Sequence, residues 1–252
     1  MNKTLTTVLI PLRVDSVERL ENLLCVIKYL IKLDLYIFIY EADYNNNGIV
    51  SKLLPRTKKI LYKFIYDDDV IFHRTKYINL MMRDSSTPYV AVWDSDIIVP
   101  RQQVEECINA LQRGYDAAYP YKSICFSVSR ELRACYMKNH NLKVLQHNAS
   151  YMNPLYGDNF VGGAFFVNKK AYESIGGENE SFYGWGPEDG DRFIRWKVMQ
   201  FKIFRSEGYA YHLWHPRDIN GAIRSKTQQV ICQHLTIMDE FSSSDDLRVI
   251  KN

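Results

Sequence analysis

The feature that most constrains this chain is a short apolar run that ends abruptly in two carboxylates. Residues 89–93 read Tyr-Val-Ala-Val-Trp, Asp94-Ser95-Asp96 follow at once, and Ile97-Ile98-Val99 resume the apolar character. A five-residue apolar run rich in β-branched and aromatic side chains is too short for a buried helix and reads as a strand covered on both faces. Similar runs occur at 6–10, 35–40 and 59–66. Between them lie helical patterns: Val17, Leu20, Leu24, Ile27 and Ile31 at helical spacing, then 74–82, then 102–113 closed by Gly114. Asp15 with Glu18 reads as a capping box for the first helix. Strands alternating with helices predict an α/β domain with a mostly parallel central sheet flanked by helices. The second half is less regular. Strands are expected at 117–121, 164–168 and 209–214. Helices are expected at 129–145, at 170–175 before Gly176-Gly177, and from Pro187 to about 200.

Bulk properties exclude several classes. The 252 residues suffice for one large domain, and the net charge of +3 is spread along the chain, so no basic footprint of a nucleic-acid binder is present. Five widely spaced cysteines form no Cys-x-x-Cys pair, which argues against a disulfide framework or a thiolate zinc site and suits a reducing compartment. No apolar stretch approaches the roughly 20 residues needed to span a bilayer, and the N-terminus lacks a signal-peptide core. The expected location is the cytoplasm, with the membrane periphery as the alternative.

Three constellations could carry chemistry. Asp94 and Asp96 sit at the carboxyl end of a strand, the edge at which open α/β sheets bind ligands. Hard divalent ions take oxygen ligands and bridge them to a diphosphate, whereas a solvated turn is the bland alternative for such a pair. His212 and His215, three apart in Tyr211-His212-Leu213-Trp214-His215, could reach one ion, and imidazole suits Mn²⁺ or Zn²⁺ better than Mg²⁺. One core and one surface histidine is the competing reading. In Gly184-Trp185-Gly186-Pro187-Glu188-Asp189-Gly190-Asp191 a tryptophan offers a face for a sugar ring. Three acids fall in the first turn of a helix, where dipole capping alone could account for any one of them. Arg13 and Arg74 could bind phosphate or lie on the surface, and Asp67-Asp68-Asp69 reads as a solvated turn.

Taken in order, these segments resemble the β1,4-galactosyltransferase family of inverting GT-A glycosyltransferases, especially its C-terminal catalytic segment. Ile10-Pro11-Leu12-Arg13 is similar to the family's Ile-Pro-Phe-Arg, and Phe72-His73-Arg74-Thr75-Lys76 to its Phe-Asn-Arg-Ala-Lys. Asp94-Ser95-Asp96-Ile97-Ile98-Val99-Pro100 is similar to Asp-Val-Asp-Leu-Ile-Pro, and Phe160-Val161-Gly162-Gly163-Ala164 to Tyr-Phe-Gly-Gly-Val. Gly184 to Asp189 are similar to Gly-Trp-Gly-Gly-Glu-Asp, and His215-Pro216-Arg217-Asp218 to His-Ser-Arg-Asp. Residues 115–155 and those past about 225 carry no such match.

The resemblance implies a Rossmann-like GT-A fold and a set of roles. Pro11, Arg13, Phe72 and Arg74 would hold a uridine diphosphate, with Ser95 and Gly163 beside it. Asp94 would meet the donor sugar or ribose. Asp96 and His215 would ligate Mn²⁺, with Mg²⁺ as the alternative ion and His212 at the family's methionine ligand position. Trp185 and Glu188 would handle acceptor and donor, and Asp189 would be the general base. The chain departs from the pattern at Asp15, where the family usually carries a second arginine. It departs again at Pro187 and Gly190, and at Phe160, where a tyrosine helps select the donor sugar.

The expected function is therefore Mn²⁺-dependent, inverting transfer of galactose or N-acetylgalactosamine from a UDP-sugar to a saccharide acceptor. The rivals are a metal-dependent nucleotidyltransferase or phosphohydrolase, which would want a Gly-rich phosphate loop, and a non-catalytic sugar-binding relative, which should have lost the base or a ligand. One domain is expected over 1–252. Within it, 1–114 form the nucleotide half, 115–225 the acceptor and catalytic half, and 226–252 a C-terminal helix or tail.

Overall fold

The structure, a computed structural model, describes residues 5–217 and 219–241. In chain order the first half contains β1 (Thr6–Leu12), α1 (Val17–Ile31), β2 (Tyr36–Asp43), α2 (Ile49–Leu53), β3 (Ile60–Tyr66), α3 (Arg74–Asp84), β4 (Tyr89–Trp93), β5 (Ile97–Ile98) and α4 (Arg101–Gln112). The second half contains β6 (Ala117–Tyr119), β7 (Cys125–Ser127), α5 (Arg130–Asn139), α6 (Leu142–His147), β8 (Ala164–Asn168), α7 (Lys169–Ser174), α8 (Glu188–Val198), β9 (Ile203–Arg205), β10 (Ala210–His212) and α9 (Lys226–Phe241).

Seven strands form the main sheet in the order β3-β2-β1-β4-β8-β6-β9. β3, β2, β1 and β4 run parallel, β8 is antiparallel to both β4 and β6, and β9 is parallel to β6. Every residue of β1 is buried, as a central strand covered on both faces requires. The chain winds outward from β1 to β3 and then returns to β4 on the other side of β1. That reversal opens a crevice at the carboxyl ends of β1 and β4, where a doubly wound sheet receives its ligand. Arg13 and Asp94 follow directly on those two strand ends.

A second, three-stranded sheet, β5-β10-β7, sets the register that matters most. β10 runs antiparallel to β5 with His212 opposite Ile97, and Leu213 N donates to Asp96 O at 2.8 Å. The histidine segment is thereby laid alongside the second acid of Asp-x-Asp.

Several local expectations change. The cap of α1 is Ser16, whose side chain accepts from Arg19 N, while Asp15 binds the Arg19 side chain instead. The helix expected at 129–145 is two helices, because His140 adopts a left-handed φ of 48° and ends α5. The strand expected at 209–214 is only Ala210–His212, released from pairing where it turns toward the crevice. The 226–252 segment is helical over Lys226–Phe241, and residues 242–252 lie outside the described residues.

Candidate active site

The crevice is a cleft of about 510 Å³, lined by the residues expected to hold nucleotide and ion and to act on the sugar: Pro11, Arg13, Phe72, Arg74, Asp94, Ser95, Asp96, Gly163, Trp185, Glu188, Asp189, His212 and His215. The volume lies within the range of small-molecule sites. Asp218 of the last motif lies outside the described residues.

Asp96, His212 and His215 form an ion-ready cluster, with candidate ligand atoms all within 4.8 Å of one another. His215 Nε2 is 3.2 Å from Asp96 Oδ2, and His212 Nε2 is 3.6 Å from Asp96 Oδ1. Asp96 Oδ1 is buried without a hydrogen-bond partner among the described residues, an arrangement that a bound cation would satisfy. Burial works against the charge on Asp96, but His212, His215 and Arg19 outweigh it and hold the carboxyl well below the usual range. Burial also holds His212 below its ordinary value, so this imidazole is neutral near pH 7, as ligation requires. One carboxylate and two imidazoles fit Mn²⁺ or Zn²⁺ better than Mg²⁺. Asn22 of α1 fixes the segment by donating to Trp214 O at 3.2 Å and Leu213 O at 3.4 Å, and it accepts from Arg133 of α5 at 2.7 Å.

The arginines divide their work. Arg74 donates from Nη2 and Nε to Asp94 Oδ1 at 2.7 and 3.2 Å. Its Nη1 lies 3.6 Å from Asp189 and 3.8 Å from Glu188, without a hydrogen bond among the described residues. Arg13 is more committed than its motif suggests. It donates to Ala42 O at 2.8 Å, Asp69 O at 2.7 Å and Asp67 Oδ2 at 2.8 Å, and lies 5.4 Å over the Phe72 ring. The Asp67–Asp69 segment is therefore no mere solvated turn. It anchors Arg13 and, through Asp67, the Tyr77 hydroxyl. Arg13 thus shapes the wall on which Phe72 stacks against Tyr77, with ring centroids 5.4 Å apart.

The three acids of α8 separate as a helical turn demands. Asp191 is fully buried and bonded to Arg195. Glu188 turns back to accept from Gly186 N at 3.1 Å. Its burial, with the charge of Asp189 adding and that of Arg74 opposing, pushes its pKa up to about 8. Asp189, the most exposed of the three, lines the cleft and is held by Arg192 Nη2 at 2.8 Å. Arg192 is wholly buried and bonds Glu178 at 2.9 Å and Val161 O at 2.9 Å, which joins α8 to the Gly162-Gly163 loop. A side chain at Gly162 would collide with Asp189 Oδ2. Gly163, with a φ of +73°, would place a Cβ 2.8 Å from Ile97 Cδ1. Trp185 is half-buried beside Tyr156, ring centroids 6.1 Å apart, and Gln228 of α9 donates to its carbonyl at 2.8 Å.

Sequence reasoning missed Arg19, Asn22, Arg192, Tyr156 and the cleft-facing residues of α9, Gln229, Cys232 and Gln233. A usable signal existed only for Arg19, as a guanidinium one turn beyond Asp15.

Comparison with known proteins finds relatives in sequence and in fold. A family model described as the N-terminal domain of galactosyltransferase matches residues 143–216 and reaches into a stretch where no motif was legible. Mouse β-1,4-galactosyltransferase 7 is 25% identical over 186 residues, 69% of this chain and 48% of that protein. The human protein of the same name is 25% identical over 174 residues, 64% of this chain and 44% of that one. The chain thus spans about half the length of the curated relatives it matches. The catalytic domain of Drosophila β1,4-galactosyltransferase 7, solved with xylobiose, superposes with a TM-score of 0.58 at 17% identity, covering 95% of this chain and 82% of that one. Mycobacterium tuberculosis glucosyl-3-phosphoglycerate synthase, solved with Mn²⁺, UDP and phosphoglyceric acid, superposes at 0.55 with 12% identity, covering 96% and 80%.

The doubly wound sheet with its Asp-x-Asp crevice is a GT-A fold. Within that class the chain is similar to the β1,4-galactosyltransferases, and residues 143–216 match the galactosyltransferase family model.

Proposed function

We propose that the protein transfers a sugar, galactose first among the candidates, from a UDP-sugar to a saccharide hydroxyl with inversion at the anomeric carbon. The observation that carries the reading is the meeting of three independent segments in one cleft: Asp96, the His212/His215 pair and Asp189. Support comes from the relatives' names and from a Drosophila galactosyltransferase 7 mutant solved with manganese, UDP-Gal and xylobiose, which superposes with a TM-score of 0.55.

Asp96, His212 and His215 would hold Mn²⁺, whose charge would offset that of the leaving diphosphate. Phe72, stacked on Tyr77, offers an apolar wall for the uracil ring. Arg74 fixes Asp94 toward the donor sugar and keeps one guanidinium nitrogen for the reacting region. The Trp185 and Tyr156 faces suit the apolar sides of an acceptor sugar. Asp189 takes the acceptor hydroxyl proton as that oxygen bonds the anomeric carbon and the bond to the diphosphate breaks. Arg192 orients this carboxylate, while Glu188, with its raised pKa and its bond to Gly186, keeps the tryptophan loop in place rather than acting as the base. The acid, histidine and base positions all retain chemically competent side chains, which favours an enzyme over a binding module. The reading places the protein in the cytoplasm or at the membrane periphery; no helix among the described residues is long and apolar enough to cross a membrane.

The test is a panel of UDP-sugars, each incubated with saccharide acceptors with and without Mn²⁺, and scored for UDP release and product. Mn²⁺-dependent transfer from UDP-galactose is expected. No turnover or binding of any UDP-sugar would sink the reading.

A further inference from the structure

Arg19 stands beside the ion cluster without belonging to it. Its position comes from α1, whose first turn faces the crevice. Asp15 braces the guanidinium by accepting from Nε at 2.8 Å. The two outer nitrogens then project toward the ligand side: Nη1 is 3.5 Å from Asp96 Oδ2 and Nη2 is 3.3 Å from His215 Nδ1.

The second of these contacts shares Nδ1 with a shorter one. His215 Nδ1 lies 2.7 Å from Pro216 O, and a carbonyl only accepts, so Nδ1 carries the proton. With Nδ1 turned to that carbonyl, Nε2 faces Asp96 Oδ2, 3.2 Å away. This orientation presents Nε2 to the ion site. The permanent positive charge beside Asp96 is that of Arg19, whose Nη1 is 3.5 Å from Asp96 Oδ2. Its outer edge faces the cleft.

Two consequences follow from charge alone. A divalent ion entering the cluster meets a fixed guanidinium that competes for Asp96 and repels it. An anion bridging the ion and Arg19 removes that repulsion and fills the fork of Nη1 and Nη2, the geometry for which arginine is suited. We propose that Arg19 is a diphosphate-binding residue that makes ion binding conditional on the nucleotide: it opposes the ion in the empty site and shares the diphosphate with it in the filled one. This inference rests on the ion-and-nucleotide reading above.

The experiment is a Mn²⁺ titration followed by the electron paramagnetic resonance of the free ion, on the wild type, Arg19→Gln and Arg19→Lys, each with and without saturating UDP. The quantity read is the coupling factor, the ratio of Mn²⁺ affinities in the two conditions. For the wild type it should be about tenfold or more. Arg19→Gln should bind Mn²⁺ alone more tightly than wild type and reduce the coupling by about threefold or more. Arg19→Lys, which keeps the charge, should restore most of the coupling, which separates the electrostatic role from simple bracing of α1. An Arg19→Gln coupling factor equal to that of wild type would overturn the proposal. Wild-type protein that binds Mn²⁺ neither alone nor with UDP would overturn the underlying reading, a distinguishable result.

Discussion

Arg192 donates to Asp189 Oδ1 at 2.8 Å from one turn further along α8, and the same guanidinium holds Glu178 at 2.9 Å in the core. The cleft acid is thereby fastened to the interior of the protein rather than left on a free side chain. Such fixing is what a positioned base requires.

The first prediction concerns this acid. Asp189→Asn keeps the shape and can still accept from Arg192, but it no longer takes a proton. Turnover should fall on the order of 10²–10⁴-fold. UDP binding in the presence of Mn²⁺ should persist, because Asp189 is not in the ion cluster. Calorimetric UDP binding beside a turnover assay would check both halves. Near-normal turnover in Asp189→Asn, with loss in Glu188→Gln, would reassign the base.

The ion cluster supplies the second. His215→Ala removes one of three ligand side chains and should weaken Mn²⁺-dependent UDP binding at least tenfold, on the order of what lesser disturbances of such sites cause. A melting-temperature shift on adding UDP with Mn²⁺, present in the wild type and absent in the variant, would report it. An equal shift in both, or full wild-type activity in excess EDTA, would count against the assignment.

Glu188 gives a prediction in pH. Its pKa in the fold lies near 8, above the unfolded value of 4.5, so folding favours its protonated form. A raised folded pKa contributes stability that is complete below the unfolded pKa and is lost as pH rises through the folded one. Between about pH 5 and pH 8.5 the wild type should lose melting temperature relative to Glu188→Gln, which does not titrate. A difference between the two that stays constant over this window would contradict the buried, acid-crowded setting of Glu188.

A fourth prediction tests the loop beneath the cleft. Gly163→Ala must hold a φ of +73° and put a methyl 2.8 Å from Ile97 Cδ1. Both effects destabilise, together by about 1–3 kcal/mol. Gly162→Ala is different in kind, because its methyl would meet the movable end of Asp189. That variant should keep most of its stability and lose turnover. Denaturant unfolding and an activity assay on the pair would separate the two roles.

The tryptophan loop supplies the last. Gly184 has a φ of +82°, and Trp185 is held through its carbonyl by Gln228 of α9. UDP with Mn²⁺ should slow amide exchange across 184–186, as closure over a donor would. Equal protection with and without ligand would argue that the segment is already fixed.

The parts of this site that were legible in the sequence share a physical reason. Asp94 and Asp96 announce themselves because carboxylates wedged between apolar strands are costly without a partner. His212 and His215 stand out because their spacing permits one shared ion. The rest was hidden for equally physical reasons. Arg192 and Glu178 look like ordinary charges of an amphipathic helix and its approach, and only the packing reveals that both are buried. His140 breaks a helix from a left-handed conformation that residues other than glycine seldom adopt, so the pattern over 129–145 reads as continuous. Ser16 and Asp15 are both competent caps, and the choice between them was made by Arg19, which takes Asp15 for itself. Arg13 was seen as a ligand-facing charge, but its partners at 42, 67 and 69 come from other strand ends that periodicity does not bring together.

The pairing of Ile97 with His212 joins two very short strands from distant parts of the chain. A nascent polypeptide that has emerged as far as Asp96 holds an acid without its imidazoles, and the cluster closes only when residues 212–215 fold back across the completed sheet. Contacts of such wide separation form late, after the loop between them has lost its entropy. Affinity for an ion at this cluster would therefore be a property of the finished molecule, and metal uptake during refolding would time the closing of the cluster.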